Sequence, residues 1–184
     1  MSIEIFLVRH AEAAADWGSD PDPGLSSLGH EQAQSAAGDL RPQLPPNVNI
    51  LTSPMLRAQE TAAPLVQVLQ HTPIVDARFR EVPAPVPFSE RATWIREFFL
   101  QNWQSQPEPL LQWRAAILEA LNELTQPTVV FTHFVVVNTV VAAINKDDRT
   151  LVFRPDYTST TRLVLDDDGL RLTQLGAERH SVVI

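Results

Sequence analysis

Three strand-like stretches of this chain are largely apolar without alternation, and each stops at polar side chains. They are "IEIFLV" (residues 3–8) ahead of Arg9 and His10, "NVNILTS" ending at Ser53, and "PTVVFTH" ending at Thr132 and His133. A strand with one wet face alternates apolar and polar residues, whereas a run that is apolar throughout must be covered on both faces. Helices above and below a parallel sheet supply that cover, because a parallel pair needs a crossover long enough to hold a helix.

The intervening segments carry helical signals. Ser26 or Ser27 caps a helix through "LGHEQAQSAAGDL", whose Leu28, Ala33, Ala36, Ala37 and Leu40 form an apolar stripe. Ser53 followed by Pro54 predicts a helix start, serine as N-cap and proline at the first helical position, running through "MLRAQETAAPLVQVLQ" with a kink at Pro64. "TPIVDARF" reads as extended, and two more helices are expected, from Ser89 through "RATWIREFFLQNW" and from Glu108 through "LLQWRAAILEALNEL". "FVVVNTVVAAINK" is rich in β-branched residues, which favour strands. A strand running straight on from "TVVFTH" would lack a turn, so a helix is expected there. "TTRLVLDDDGLRLTQLG" holds two strands around Asp168-Gly169, a hairpin signal. The pattern predicts an α/β fold, a three-layer α/β/α sandwich whose mainly parallel central sheet has an antiparallel edge. A length of 184 residues fits a single domain, 1–184.

In open α/β sheets the ligand site lies beyond the carboxyl ends of the strands. Parallel strands bring the three polar ends to one edge, joining Arg9, His10, Thr132 and His133. Arg57 is expected one turn into the helix after Ser53, with its side chain leaning back toward that edge. Two guanidinium groups, two imidazoles and a helix N-terminus suit a compact dianion such as phosphate. The net charge of −8 argues against nucleic acid or an anionic membrane as partner, so this local cluster must attract an anion by itself. With no cysteine, a thiol nucleophile, a thiolate metal site and a disulfide scaffold are excluded. The N-terminus lacks the features of a signal peptide, and the apolar run "VVFTHFVVVNTVVAAI" is short of the ~20 residues of a membrane span. A soluble, cytoplasmic protein is expected.

In order, "LVRHAE", "LSSLGHEQA", "LTSPMLRAQETA", "ARFREVP" and "VVFTH" resemble the histidine phosphatases, the phosphoglycerate mutase-like superfamily, and together they span most of the chain. The resemblance implies a phosphoric monoester hydrolase that needs no metal and no cofactor. His10 matches the nucleophile that takes the phosphoryl group on a ring nitrogen. Arg9, Arg57 and His133 match the groups that hold the phosphate. Glu81 matches the acid that protonates the leaving oxygen and then activates water. These roles suit the residue types, since a neutral imidazole is a competent nucleophile and cations stabilise a transferring phosphoryl group. The implied partner is a small phosphorylated substrate or a phosphoprotein; oligomeric state is not legible.

The chain departs from the family pattern at Ala11, where glycine is common, and at Thr132 and Phe134, which flank the second histidine in place of glycines. Phe134 is expected to narrow or reshape the pocket entrance. "EVPAPVPFSER" replaces a stretch that often contains tryptophan and glycine, and the proline-rich segment is expected to form one cleft wall. Two alternatives use the same residues: a phosphohistidine phosphatase acting on a phosphoprotein, which needs no strong leaving-group acid, and a non-catalytic phosphate-binding pseudoenzyme. Glu81 has a competing role in a solvated salt-bridge cluster with Arg78 and Arg80. Ser53 is expected to act as a helix cap with no chemical role beyond pocket geometry, Glu12 and Asp16 as loop acids, and His30, His71 and His180 as surface residues. Trp94, Trp103 and Trp113 are expected to pack.

Overall fold

Covering those apolar runs on both faces produces a six-stranded sheet between two layers of helices. The computed structural model describes residues 2–15 and 20–178. Its elements run β1 (Ile3–Arg9), α1 (Ser27–Leu40), β2 (Asn49–Thr52), α2 (Leu56–Leu69), β3 (Ile74–Val75), α3 (Arg91–Phe98), α4 (Glu108–Asn122), β4 (Thr128–Thr132), α5 (Phe134–Ile144), β5 (Thr160–Asp166) and β6 (Gly169–Gln174). The strand order is β3-β2-β4-β1-β5-β6. The first four strands in chain order are mutually parallel, while β5 runs antiparallel to β1 and β6 antiparallel to β5. The hairpin turns at Gly169, whose φ of 100° lies where L side chains are strained. This is the expected sandwich with its antiparallel edge.

The pleat divides β1 between two cores. Ile5 and Leu7 pack with Ile117, Leu121 and Val137 of α4 and α5, while Phe6 and Val8 pack with Ala37 and Leu40 of α1 and Ala62 and Leu65 of α2. None of the four β1 side chains is more than 1% exposed. Each contributes about 1.5–3 kcal/mol of hydrophobic stabilisation. The strand that delivers Arg9 and His10 is therefore clamped from both sides.

Helix α5 settles the ambiguous β-branched segment. Every residue from Phe134 to Ala142 is buried, so tertiary packing overrides strand propensity. The one amide among them, Asn138, accepts the backbone N–H groups of Val152 (2.9 Å) and Phe153 (3.1 Å) and fixes the descending chain.

Helix α2 does not begin as expected. It starts at Leu56, with Met55 rather than Ser53 at the N-cap position. Ser53 Oγ accepts the Met55 N–H (3.2 Å), and the Leu56 N–H is taken by Asp22 Oδ1 (2.9 Å), a capping group from a distant loop. Helix α3 ends at Phe98, short of the expected 103, because Trp103 turns into a 3₁₀ segment whose N–H bonds the Asp148 carbonyl at 2.7 Å. "TPIVDARF" supplies only the two-residue β3 and a 3₁₀ turn at Ala77–Phe79. The proline-rich segment and α3 carry a separate apolar cluster of Val82, Ile95, Phe98 and Trp103, which continues into Phe134 and Val135 of α5. Among the described residues, no helix is long and apolar enough to cross a membrane.

Candidate active site

The register of the parallel strands assembles the site. Arg9 of β1 pairs with Thr132 of β4, the His10 N–H bonds the Thr132 carbonyl (2.9 Å), and the Ser53 N–H bonds the Phe131 carbonyl (3.0 Å). Consecutive strand ends are thereby levelled, and the rings of His10 and His133 lie 5.2 Å apart at a 60° tilt. The anticipated meeting of strand ends is what the sheet delivers.

His10 Nδ1 is 2.7 Å from the Ala11 carbonyl oxygen. A carbonyl only accepts, so this nitrogen carries the proton and Nε2 keeps a lone pair. Consistently, Arg57 Nε donates to His10 Nε2 at 3.3 Å. Burial, followed by the charges of Arg57 and Arg9, holds the His10 pKa well below 6.5. The ring is thus neutral near pH 7, and at 6% exposure it still reaches the surface. Ala11 is itself locked, its N–H donating to Thr61 Oγ1 (3.0 Å).

Arg9 is 3% exposed and donates through Nη1 to the Pro155 carbonyl (2.9 Å). Its guanidinium lies 4.1 Å from the Tyr157 ring centroid and 5.1 Å from that of Phe134. Phe134 is consequently not an obstacle at the entrance. It is 2% exposed and serves as a platform for Arg9. Tyr157 escaped the sequence reading because a lone aromatic in the loop before β5 carries no periodic signal.

Arg57 occupies the first turn of α2 rather than the second, following the later helix start. Its Nη1 is 3.9 Å from Asp22 Oδ1, so Asp22 both caps the helix and faces the arginine. Burial lowers the Arg57 pKa in spite of the attraction of Glu81 and Asp22. His133 Nε2 lies 2.7 Å from Ser53 Oγ, and burial first, then Arg57, holds its pKa well below 6.5.

Glu81 is not part of a solvated salt-bridge cluster. Arg78 turns to Asp76 and Glu123, both at 2.7 Å, and Glu81 is 2% exposed. Its Oε1 accepts the Val82 N–H (2.9 Å) and its Oε2 the Val135 N–H in the first turn of α5 (3.4 Å). Burial raises the Glu81 pKa above 4.5 against the opposing pull of these N–H groups and of Arg57. Arg91, which the sequence reading also passed over, donates to the Val82 carbonyl (3.1 Å) on the same segment.

Other candidates do not join the cluster. Glu12 accepts from the Ser26 hydroxyl (2.8 Å) and ties its loop to α1, and His30 is exposed. Trp94, Trp103 and Trp113 pack around the α3–α4 cluster. Asp16 and His180 lie outside the described residues. Among the described residues no three His, Asp or Glu side chains group as metal ligands.

Comparison with known proteins bears on the fold and the family. A mycobacterial glucosyl-3-phosphoglycerate phosphatase, solved with VO3, superposes with a TM-score of 0.76 at 21% identity, covering 96% of this chain and all of that one. A phosphoserine phosphatase from Entamoeba histolytica, in complex with 3-phosphoglyceric acid, gives 0.74 at 16% identity, covering 97% of this chain and 98% of that one. At these identities the likeness is one of fold. A PE-PGRS family protein of Mycobacterium tuberculosis is 36% identical over 90 residues, 46% of this chain but only 15% of that protein's length. The family model of the histidine phosphatase superfamily, branch 1, matches residues 5–178, and on that match the chain belongs to the histidine phosphatase superfamily.

Proposed function

We propose that the protein is a metal-independent phosphoric monoester hydrolase working through a phosphohistidine on His10. The observation that carries this reading is the lone pair on His10 Nε2, fixed by the Nδ1–H bond to the Ala11 carbonyl and met by the Arg57 guanidinium. In the first step that lone pair forms a bond to phosphorus while the bond to the ester oxygen breaks. The ester oxygen leaves with the proton of the Glu81 carboxyl group. In the second step the Glu81 carboxylate takes a proton from water, whose oxygen bonds to phosphorus as the P–N bond breaks, and the electron pair returns to Nε2. Arg9 and Arg57 hold the phosphoryl oxygens throughout, where fixed cations stabilise charge best in a water-poor site.

Glu81 favours a phosphoester over a phosphohistidine substrate, since an ester oxygen needs an acid and a burial-raised pKa keeps the proton available. The names of the similar proteins, phosphatases of glucosyl-3-phosphoglycerate and of phosphoserine, support a small phosphorylated molecule as substrate class. The Val82–Trp103 segment packs against α5 beside Glu81, and reading what lies beyond the phosphate is the role proposed for it.

Hydrolysis of p-nitrophenyl phosphate with and without EDTA tests the reading, and equal rates are expected. A rate abolished by EDTA and restored by a divalent cation overturns the metal-free mechanism. Glu81→Gln is expected to cost about 10²–10⁴-fold with an alkyl phosphate, whose leaving oxygen needs the proton, and much less with p-nitrophenyl phosphate. Activity on the alkyl ester should fall as pH rises through the Glu81 pKa, above 4.5, and should fall again in acid as His10 protonates, below 6.5. Loss of the basic limb in the glutamine variant would tie it to Glu81, and an unchanged limb would remove Glu81 from the mechanism.

A further inference from the structure

The hydrogen bonds around His133 carry a second conclusion about the site. The ring is fully buried and its Nδ1 has no hydrogen-bond partner among the described residues. An unsatisfied buried polar atom is costly, and a binding site keeps one when a ligand completes it. Here Nε2 is occupied by Ser53 Oγ at 2.7 Å, and the ring faces His10 at 5.2 Å. Nδ1 is therefore the nitrogen left for the phosphoryl group.

Which nitrogen holds the proton follows from Ser53. Its oxygen already accepts the Met55 N–H at 3.2 Å. If the hydroxyl donates to His133 Nε2, both the oxygen and its proton are satisfied, and His133 is the Nδ1–H tautomer. If instead Nε2–H donated to Ser53, the serine oxygen would accept twice while its own proton lacked an acceptor. Nδ1 would then present a lone pair to an incoming phosphoryl oxygen, which is repulsive. The first arrangement satisfies every group except one donor, and that donor meets an anion.

We propose that Ser53 is a positioning residue that fixes His133 as the Nδ1–H tautomer, making a neutral imidazole a hydrogen-bond donor to the transferring phosphoryl group. The two histidines then share a tautomer through different partners, a backbone carbonyl for His10 and a serine hydroxyl for His133. Their roles are opposite. His10 turns its bare nitrogen to phosphorus, and His133 turns its N–H to a phosphoryl oxygen. A neutral donor also spares the pocket a third cation beside Arg9 and Arg57, in keeping with the depressed His133 pKa.

The kinetic part of this proposal rests on the phosphatase reading, while its tautomer part does not. Long-range proton–nitrogen correlation spectra of the whole chain read the protonated nitrogen of each ring directly. Wild type is expected to show Nδ1–H at His133, and Ser53→Ala to shift that ring toward Nε2–H. The same variant is expected to lose on the order of 10–100-fold in kcat on p-nitrophenyl phosphate with a smaller change in KM, as when a single transition-state donor is weakened. Ser53→Thr, which keeps the hydroxyl, is expected to restore both the tautomer and most of kcat. An Nε2–H signal at His133 in wild type overturns the proposal, and so does a Ser53→Ala enzyme with unchanged kcat. Should Ser53→Ala fail to fold, the wild-type spectrum decides alone. A wild-type protein without phosphatase activity defeats the functional reading and leaves the tautomer to the spectrum.

Discussion

His10→Ala is expected to reduce hydrolysis of p-nitrophenyl phosphate by at least about 10⁴-fold, the scale on which enzymes that work through a covalent intermediate lose rate with their nucleophile. The size of the effect follows from the lack of a substitute. His133, the other imidazole in the pocket, has Nε2 engaged by Ser53 Oγ at 2.7 Å and, in the tautomer proposed for it, a proton on Nδ1, so neither nitrogen offers a lone pair to phosphorus. The variant should remain folded, because the β1 core residues Ile5 to Val8 are untouched and the His10 ring is at the rim of the sheet. A parallel measurement uses substrate labelled at phosphorus. Rapid quenching in alkali should trap label on wild type as a phosphoramidate, stable to base and released by acid, and no label on the variant. An alanine variant that retains a substantial part of the rate, or an acid-stable label, sinks the assignment of His10.

Much of this architecture is legible in the sequence because a single constraint, two-sided burial, controls it. Residues 5–8 of β1 and "TVVF" of β4 are buried and alternate which core they feed, so their apolar runs give the parallel strands directly, with only Glu4 at the start of β1 exposed. What escapes is local structure decided by distant groups. Ser53-Pro54 carries a helix-start signal, yet α2 begins at Leu56, because Asp22 from the loop before α1 supplies the cap. No local pattern announces a cap contributed from so far along the chain. The expected helix over residues 89–103 breaks at Phe98 for a similar reason, since the Trp103 N–H is drawn to the Asp148 carbonyl.

The site divides along the same line. Arg9, His10 and His133 follow from strand ends, whose positions the sheet dictates, and Arg57 from the adjoining helix. Glu81 lies in irregular chain, where the family resemblance implies an acid but sequence proximity to Arg78 and Arg80 offers a surface cluster as a competing role. The decisive fact is three-dimensional: the first turn of α5 offers the Val135 N–H to Glu81, and Arg78 is claimed by Asp76 and Glu123. Tyr157 and Phe134, which face Arg9, come from segments far apart in sequence and meet only in the fold. Phe134 shows how a departure from a family pattern misleads. Read as added bulk at the entrance, it lies instead buried against Arg9, a second aromatic ring beside that of Tyr157.

Arg57→Ala is expected to cost about 10³–10⁵-fold in kcat/KM, the range associated with removing an arginine from a transferring phosphoryl group. The geometry explains why this arginine outweighs an ordinary surface contact. Its Nε donates to His10 Nε2 at 3.3 Å, so a phosphoryl group that displaces this hydrogen bond to reach Nε2 lies against the guanidinium as the new bond forms. Arg57→Lys should recover little, since an ammonium cannot reproduce a planar fork and the 3.3 Å contact is made by Nε itself. Stability should move the other way. Burial lowers the Arg57 pKa, so the fold holds its charged form at a cost that Glu81 and Asp22 do not fully offset. Alanine removes that buried cation, and the variant is expected to melt no lower than wild type. Such a pairing, large loss of rate with no loss of Tm, marks a charge kept for chemistry. The reverse result, a lowered Tm with nearly full activity, would make Arg57 a structural partner of Asp22 at the start of α2 and remove it from the phosphate clamp.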